Sequence, residues 1–174
     1  MSAIVYSNHI PKKIYFTETF SQTVLDFTQE VKYFDRLDWT KVLNWFNLIL
    51  NEVKNNYINQ CDLNVAVVLE RPMINPERFK QSIIAVRAFE ALIIVLEILQ
   101  LEYTVIDSKK WQHYFFGKST SLLDLKQESL NKALVILEDM KVENDDLNEI
   151  KLQMKRHGDA DAFLIAMYSL TQVK

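Results

Sequence analysis

The chain has 174 residues, of which 49% are hydrophobic, and this is ample for one domain with a well-buried core. Its formal charge of −3 argues mildly against a nucleic-acid binder, so nucleic-acid contact would require a local basic patch. The single cysteine, Cys61, excludes an internal disulfide and a cysteine-rich zinc site and fits a reduced, cytoplasmic setting. Because no repeat or linker interrupts the chain, we predict a single domain over residues 1–174.

The start of the chain and its most apolar segment both argue against a membrane protein. Residues 1–13 lack a charged start followed by an apolar run, so we expect no signal peptide. Residues 83–101 are the most apolar, but Arg87, Glu90 and Glu97 interrupt them. This pattern predicts a buried helix rather than a membrane span.

The first 35 residues are predicted to form two or three antiparallel strands. Residues 3–6, 13–16 and 23–27 are rich in β-branched and aromatic side chains, and polar stretches separate them. A helix should follow from about residue 37 to residue 55, because apolar side chains recur there at helical spacing. Asp38 can serve as its N-cap.

A valine-rich run, residues 63–70, predicts a central strand that is buried on both faces. The run ends at Glu70, which is followed by Arg71. A carboxylate at the C-terminal end of a buried strand lies where α/β sheets bind ligands. The alternative is a strand-end glutamate that pairs with Arg71 or faces solvent.

Residues 79–100 predict a long helix that is apolar nearly all round. Such a helix needs cover from the sheet on one side and from something else on another, for which a second subunit is one candidate. A short strand is predicted at residues 103–107, followed by Lys109, Lys110 and Trp111. Phosphate contact is one interpretation of the two lysines, and a solvated turn is the commoner one.

The last third of the chain is predicted to be helical. Thr120 or Ser121 can cap a helix that continues to about residue 140. Residues 141–155 are strongly charged and predict a solvated loop or surface helix, and a buried helix is expected at residues 160–171. Strands joined by helices imply parallel pairing with right-handed crossovers, so we predict a mixed sheet with helices on its faces.

A histidine and two carboxylates precede or begin the last helix. His157 and Asp161 are four residues apart, so they share a face if helical geometry already holds at His157. Asp159 would point elsewhere unless the turn bends it back. The simpler interpretation is that Asp159 is the N-cap and Asp161 a first-turn acid.

Three motifs occur in a characteristic order along the chain. They are residues 67–72 at the end of the valine-rich strand, residues 107–111 after the next strand, and residues 157–166 at the start of the last helix. Together with Lys126 and residues 129–133, they resemble the phage type of RuvC Holliday junction resolvases. The resemblance covers about residues 65–168 and implies a ribonuclease H-like mixed β-sheet flanked by α-helices.

The resemblance also implies a catalytic site. In that family, acidic residues from the first strand, the fourth strand and the last helix surround two Mg²⁺ ions, for which Mn²⁺ can substitute. Glu70 would be the fourth-strand ligand and Asp161 the principal helix ligand, and His157 or Asp159 would take the remaining helix position. Hard oxygen ligands suit Mg²⁺, and a histidine there can ligate metal or transfer a proton.

The resemblance further implies DNA contacts and a dimer. Lys109 or Lys110 would hold a phosphate, and Arg71 would lie beside the same DNA. Symmetric cleavage of a junction would require two copies of the chain, so we expect a homodimer.

The chain departs from the family at its first strand, which should end in an aspartate beside a glycine. Ser7 or Asn8 lies near the expected acid, while Asp26 and Glu18 are weakly supported alternatives. We expect a retained strand whose acid has been replaced, because losing a central strand would leave its neighbours' backbone groups unpaired. The alternative is a chain that starts after the catalytic aspartate.

Three functions are therefore open. The first is a metal-dependent, structure-selective endonuclease that resolves Holliday junctions or other branched DNA. The second is a catalytically degenerate or N-terminally truncated relative that binds DNA or a protein without cleaving. The third is an unrelated α/β protein whose acidic sites are coincidental.

Overall fold

The structure of the protein is a computed structural model with a mixed α/β fold. It describes residues 2–7, 10–16, 20–26, 32–57, 65–117, 125–140, 147–157 and 159–172. The chain divides into two compact units, of which the first comprises residues 1–18 and 106–174 and the second residues 19–105.

Six strands and six α-helices occur within the described residues. The strands are β1 (Ser2–Ser7), β2 (Ile10–Phe16), β3 (Ser21–Asp26), β4 (Lys32–Leu37), β5 (Val67–Glu70) and β6 (Tyr103–Ile106). The helices are α1 (Trp39–Tyr57), α2 (Phe79–Ile98), α3 (Ser108–Phe116), α4 (Leu125–Asp139), α5 (Leu147–His157) and α6 (Ala160–Gln172), and a 3₁₀ turn, Pro76–Arg78, precedes α2. Among the described helices, none is both long and apolar enough to span a membrane.

Strand pairing in the described part of the chain is confined to three two-stranded sheets. β1 pairs antiparallel with β2, β3 pairs antiparallel with β4, and β5 pairs with β6. The predicted antiparallel strands are thus present, but β4 was missed. Its residues mix aromatic and charged side chains, so its strand conformation depends on pairing with β3 rather than on a strong local preference.

In the first unit, helix α6 packs against β1, α3 and α4, and α5 packs against α4 and β2. The buried apolar side chains are Ile14, Ile106, Trp111, Ala133, Leu137, Ile150, Met154, Ala160, Phe163, Leu164 and Ile165. The last helix agrees with its prediction. Residues 147–157 form a helix that buries Ile150 and Met154, which are four residues apart. This part of the charged segment is therefore a helix with one face packed in the core. The predicted caps Thr120 and Ser121 lie outside the described residues.

In the second unit, helix α2 packs against α1, β4 and the 3₁₀ turn. Ser82 joins α2 to the residue before that turn: its hydroxyl accepts from the Asn75 N–H at 2.9 Å and donates to the Asn75 carbonyl at 3.2 Å. Helix α1 buries Val42, Ile49 and Val53, which recur at the predicted helical spacing.

Asp38 caps the N-terminus of α1, as predicted. Its Oδ1 accepts hydrogen bonds from the Thr40 hydroxyl at 2.5 Å and from the Lys41 N–H at 3.3 Å, and the Lys41 ammonium lies 3.6 Å from Oδ2. These contacts, with the Thr40 hydroxyl foremost, lower the pKa of the Asp38 carboxyl below its usual value. The Asp38 N–H donates to the Phe20 carbonyl at 3.0 Å, which links the start of α1 to the start of β3.

Two local predictions were wrong. β5 was predicted to be buried on both faces, yet Val67, Val68 and Leu69 are only partly buried. For the two lysines after β6, phosphate contact and a solvated turn were both considered, and the turn is wrong because the segment forms helix α3. Trp111 is 1% exposed, so burial of its indole stabilises a helix whose first turn is otherwise polar.

Candidate functional site

The N-terminus of α6 carries two carboxylates in different environments. The Asp159 carbonyl accepts a hydrogen bond from the Phe163 N–H at 2.9 Å, which places Asp159 at the N-cap position. Asp159 is 8% exposed, whereas Asp161, in the first turn, is exposed. One carboxylate is therefore enclosed by the protein, and the other is accessible to a ligand.

Buried apolar side chains pack close to both acids at the start of α6. Ala160, Phe163 and Leu164 are buried close to the helix start, and burial of one such large side chain stabilises the fold by roughly 1.5–3 kcal/mol. Asp161 lies between Ala160 and Phe163 in sequence and about 100° around the helix from Ala160, at the edge of this apolar face, where its side chain is exposed. Both acids are also favoured by the helix dipole.

His157 does not share a continuous helix with Asp161. Helix α5 ends at His157, and α6 begins at Ala160. A shared face was expected only if one helix continued from His157 to Asp161, and this condition is not met. The side chain of His157 lies outside the described part of the structure.

Lys109 and Lys110 occupy the first turn of α3, and both are exposed. The Lys110 N–H donates to the Asp107 carbonyl at 2.9 Å, so the helix begins just after β6. Two ammonium groups add their charge to the positive end of the helix dipole. This surface therefore favours an anion such as a phosphate.

An aromatic contact joins the lysine-bearing helix to the acid-bearing helix. The rings of Tyr114 in α3 and Tyr168 in α6 lie 5.5 Å apart with their planes at 64°. Lys109 precedes Tyr114 by roughly 8 Å of helix, and Asp161 precedes Tyr168 by roughly 10 Å. Both charged helix starts therefore lie within about two turns of one shared contact.

This contact was missed in the sequence because the segment after β6 was interpreted as a turn. One signal could have indicated the helix. Trp111 and Phe115 are four residues apart, which is helical spacing for an apolar face.

Glu70 and Arg71 belong to the second unit. Glu70 is the last residue of β5, Arg71 follows it, and both side chains are exposed. The prediction that a carboxylate ends this strand is confirmed, although the strand is only partly buried.

The described residues of β1 and β2 include no Asp or Glu, so neither strand carries the first-strand acid that the resemblance implies. Ser7 is the last residue of β1 and pairs with Ile10. Asp26 ends β3 in the other unit, opposite Lys32. Asn8 and Glu18 lie outside the described residues.

The acidic residues suit Mg²⁺ or Mn²⁺ by donor type, because carboxylate oxygens are the ligands that hard divalent cations prefer. Within the described ranges, no group of three or more His, Cys, Asp or Glu side chains is arranged to hold a metal ion. Asp159 and Asp161 thus provide a pair of oxygen-bearing side chains at one helix start, with Glu70 at a strand end in the other unit.

No family model matches the chain, and no curated protein matches it. The function must therefore be inferred from the residues themselves.

Proposed function

We propose that the protein is a metal-dependent, structure-selective DNA endonuclease that hydrolyses phosphodiester bonds in Holliday junctions or other branched DNA. It has a ribonuclease H-like fold and acts in the cytoplasm as a homodimer, with one site for each of two strands. The main support is the pairing of α3 with α6, since exposed lysines begin one helix and carboxylates begin its neighbour.

The proposed roles follow from the chemistry of each side chain. Glu70, Asp159 and Asp161 each offer the hard carboxylate oxygens that suit Mg²⁺ or Mn²⁺, and a bound ion would supply an activated water and stabilise the leaving oxygen. Lys109 and Lys110 hold a phosphate by charge, as lysines at a DNA surface do. Arg71 contacts the same DNA strand as the two lysines.

His157 and Asp159, which precede Asp161 in the sequence, have different proposed roles. His157 transfers a proton, because an imidazole titrates near neutral pH. Enclosure of Asp159 limits its rotamers, so it is held in place before a ligand arrives, while exposed Asp161 can reach incoming substrate.

Cleavage of a labelled four-way junction in Mg²⁺ tests the proposal directly. Asp161→Asn and Glu70→Gln remove one charge each and are expected to lower the rate by more than about 100-fold, since even outer-shell partners of a metal are worth 10- to 100-fold. Asp139→Asn and Glu102→Gln are matched controls at exposed positions and should cleave normally. A wild type that leaves junctions and flaps intact in both Mg²⁺ and Mn²⁺ would refute the nuclease.

Asp159 requires a separate test, because it is also an N-cap. Asn is as good an N-cap as Asp, whereas Ala is poor. Asp159→Asn should therefore retain stability but lose cleavage if the carboxylate is a ligand. Unchanged cleavage in Asp159→Asn, with lower stability in Asp159→Ala, would assign Asp159 a capping role alone.

A second candidate is a catalytically degenerate relative that binds branched DNA or a protein without cleaving it. The absence of an acidic residue from described strands β1 and β2 favours it. Such a protein would shift a four-way junction in a gel without Mg²⁺ and leave it uncut when Mg²⁺ is added. Cleavage that Glu70→Gln abolishes would exclude this alternative.

A further inference from the structure

Ser82 is a buried polar residue in an otherwise apolar stretch of α2. It is 6% exposed, and the other buried side chains of this helix are those of Val95 and Leu96. Serine is a weaker helix former than alanine or leucine, and burial of a hydroxyl costs free energy unless the hydroxyl is hydrogen-bonded. The position therefore requires a specific partner for the Ser82 hydroxyl.

That partner is the backbone of Asn75, seven residues earlier in the chain. A serine inside a helix can donate to the carbonyl four residues before it. The Ser82 hydroxyl instead donates to the Asn75 carbonyl at 3.2 Å and accepts from the Asn75 N–H at 2.9 Å. It thus uses both its donor and its acceptor capacity on one residue outside the helix.

Asn75 is also held by the turn that follows it. Its Oδ1 accepts from the Glu77 N–H at 2.9 Å, and its carbonyl accepts from the Arg78 N–H at 3.0 Å. Pro76 comes next and has a fixed φ. Asn75 is therefore a corner of the chain that is tied to α2 on one side and to the 3₁₀ turn on the other.

The segment between Glu70 and Asn75 is consequently fixed at both ends. Glu70 ends β5, which pairs with β6, and Asn75 is bonded to Ser82. Only residues 71–74 connect these two points. Pro72 restricts its own φ and also the conformation of Arg71 before it. The backbone position of Arg71 thus depends on the sheet at one end and on the Ser82 hydroxyl at the other.

We propose that Ser82 is a positioning residue for DNA binding, because its bonds to Asn75 hold Arg71 in place before the DNA arrives. The inference rests on the proposed function, in which Arg71 contacts DNA. Ser82 is buried and does not touch DNA itself. A side chain that is already positioned loses less freedom on binding, so Ser82 strengthens the affinity for DNA through Arg71.

A double-mutant cycle on DNA affinity tests this role. Fluorescence anisotropy with a four-way junction, without divalent cations, measures the dissociation constant. Ser82→Ala should weaken binding by roughly 2- to 10-fold, which corresponds to ordering one long side chain. In an Arg71→Ala background, Ser82→Ala should cause no further loss, because the side chain that it positions is absent. Equal losses in both backgrounds would assign Ser82 a structural role alone.

Two further variants separate the tether from general stability. Val95→Ala truncates a fully buried side chain of the same helix without changing the bonds to Asn75, so it should lower stability and leave the affinity unchanged. Ser82→Cys keeps the volume of the side chain with a weaker hydrogen-bonding group, so it should weaken binding less than Ser82→Ala. All variants are compared below their melting temperatures.

Hydrogen–deuterium exchange of the DNA-free protein tests the tether independently of DNA. The peptide 71–78 contains the Asn75, Glu77 and Arg78 N–H groups, all of which are hydrogen-bonded. It should exchange faster in Ser82→Ala and at the wild-type rate in Val95→Ala. Equal exchange in wild type and Ser82→Ala would refute the tether.

The outcomes distinguish this inference from the proposed function. A wild type that binds junctions but cuts none would refute the nuclease and leave the role of Ser82 standing. A wild type that binds and cuts junctions, with no loss of affinity in Ser82→Ala, would refute the role of Ser82 and leave the nuclease standing. A wild type that binds no junction would refute both.

Discussion

The rings of Tyr114 and Tyr168 meet edge to face with their centroids 5.5 Å apart. This contact joins α3, which begins with two lysines, to α6, which begins with two carboxylates. Edge-to-face geometry is the arrangement that the aromatic quadrupole favours. The relative position of these two helices therefore depends in part on one aromatic pair.

Replacing either tyrosine with alanine should loosen this contact. A double-mutant cycle with Tyr114→Ala and Tyr168→Ala is expected to give a coupling free energy of about 0.5–1.5 kcal/mol in urea unfolding. Tyr114→Phe and Tyr168→Phe are the controls. Each keeps its ring, so the stabilisation from the ring contact should be retained in these variants. Additive alanine effects would show that the ring contact adds no stability.

Lys109→Ala and Lys110→Ala should each weaken junction binding without altering stability. The logarithm of affinity falls as the logarithm of salt concentration rises, and each lost phosphate contact makes this slope shallower by about 1. Fluorescence anisotropy over a salt series, without divalent cations, measures this slope. Lys54→Ala, at an exposed position on α1, should leave it unchanged. Equal slopes in all three variants would show that neither Lys109 nor Lys110 contacts a DNA phosphate.

Asp38 should make stability depend on pH in the acid range. Its pKa is lowered in the folded protein, chiefly by the Thr40 hydroxyl, so the charged carboxylate contributes stability above the ordinary aspartate pKa of about 3.9. That contribution is lost as the pH falls through the lower, folded-state pKa. Asp38→Asn keeps a capping oxygen without the charge. The gap in melting temperature between wild type and Asp38→Asn should therefore close below about pH 4.

A matched comparison separates the charge of Asp38 from its capping role. Asp38→Ala removes the capping oxygen and should lower the melting temperature by a further roughly 2–4 °C relative to Asp38→Asn. A gap between wild type and Asp38→Asn that widens as the pH falls would contradict the direction of the pKa shift.

Gln100→Gly should stabilise the protein. Gln100 has a φ of 55°, which is left-handed backbone that glycine adopts without a Cβ clash. It ends α2 in a Schellman motif, because its N–H donates to the Glu97 carbonyl at 3.1 Å and the Leu101 N–H donates to the Leu96 carbonyl at 2.9 Å. We expect a gain of about 1 kcal/mol in the free energy of unfolding. Gln100→Ala retains the Cβ and should give no gain.

Periodicity alone located the long helices. Residues 79–100 were predicted as one helix and α2 spans Phe79–Ile98, while residues 160–171 were predicted and α6 spans Ala160–Gln172. Apolar side chains at helical spacing are a local signal, so no knowledge of the packing partner is needed. β4 and α3 were missed, because their local sequences are polar or mixed and their conformations depend on a paired strand and a buried tryptophan.

The sequence by itself determined the residue types of the candidate site. It identified a carboxylate at the end of β5, two at the start of α6, two lysines after β6, and an acid that caps α1. Only the tertiary structure decided that α5 ends at His157, that Asp159 is enclosed while Asp161 is exposed, and that α3 packs against α6. The physical reason is that an apolar pattern specifies which face of a helix is buried, whereas the surface that covers this face comes from residues far away in the chain.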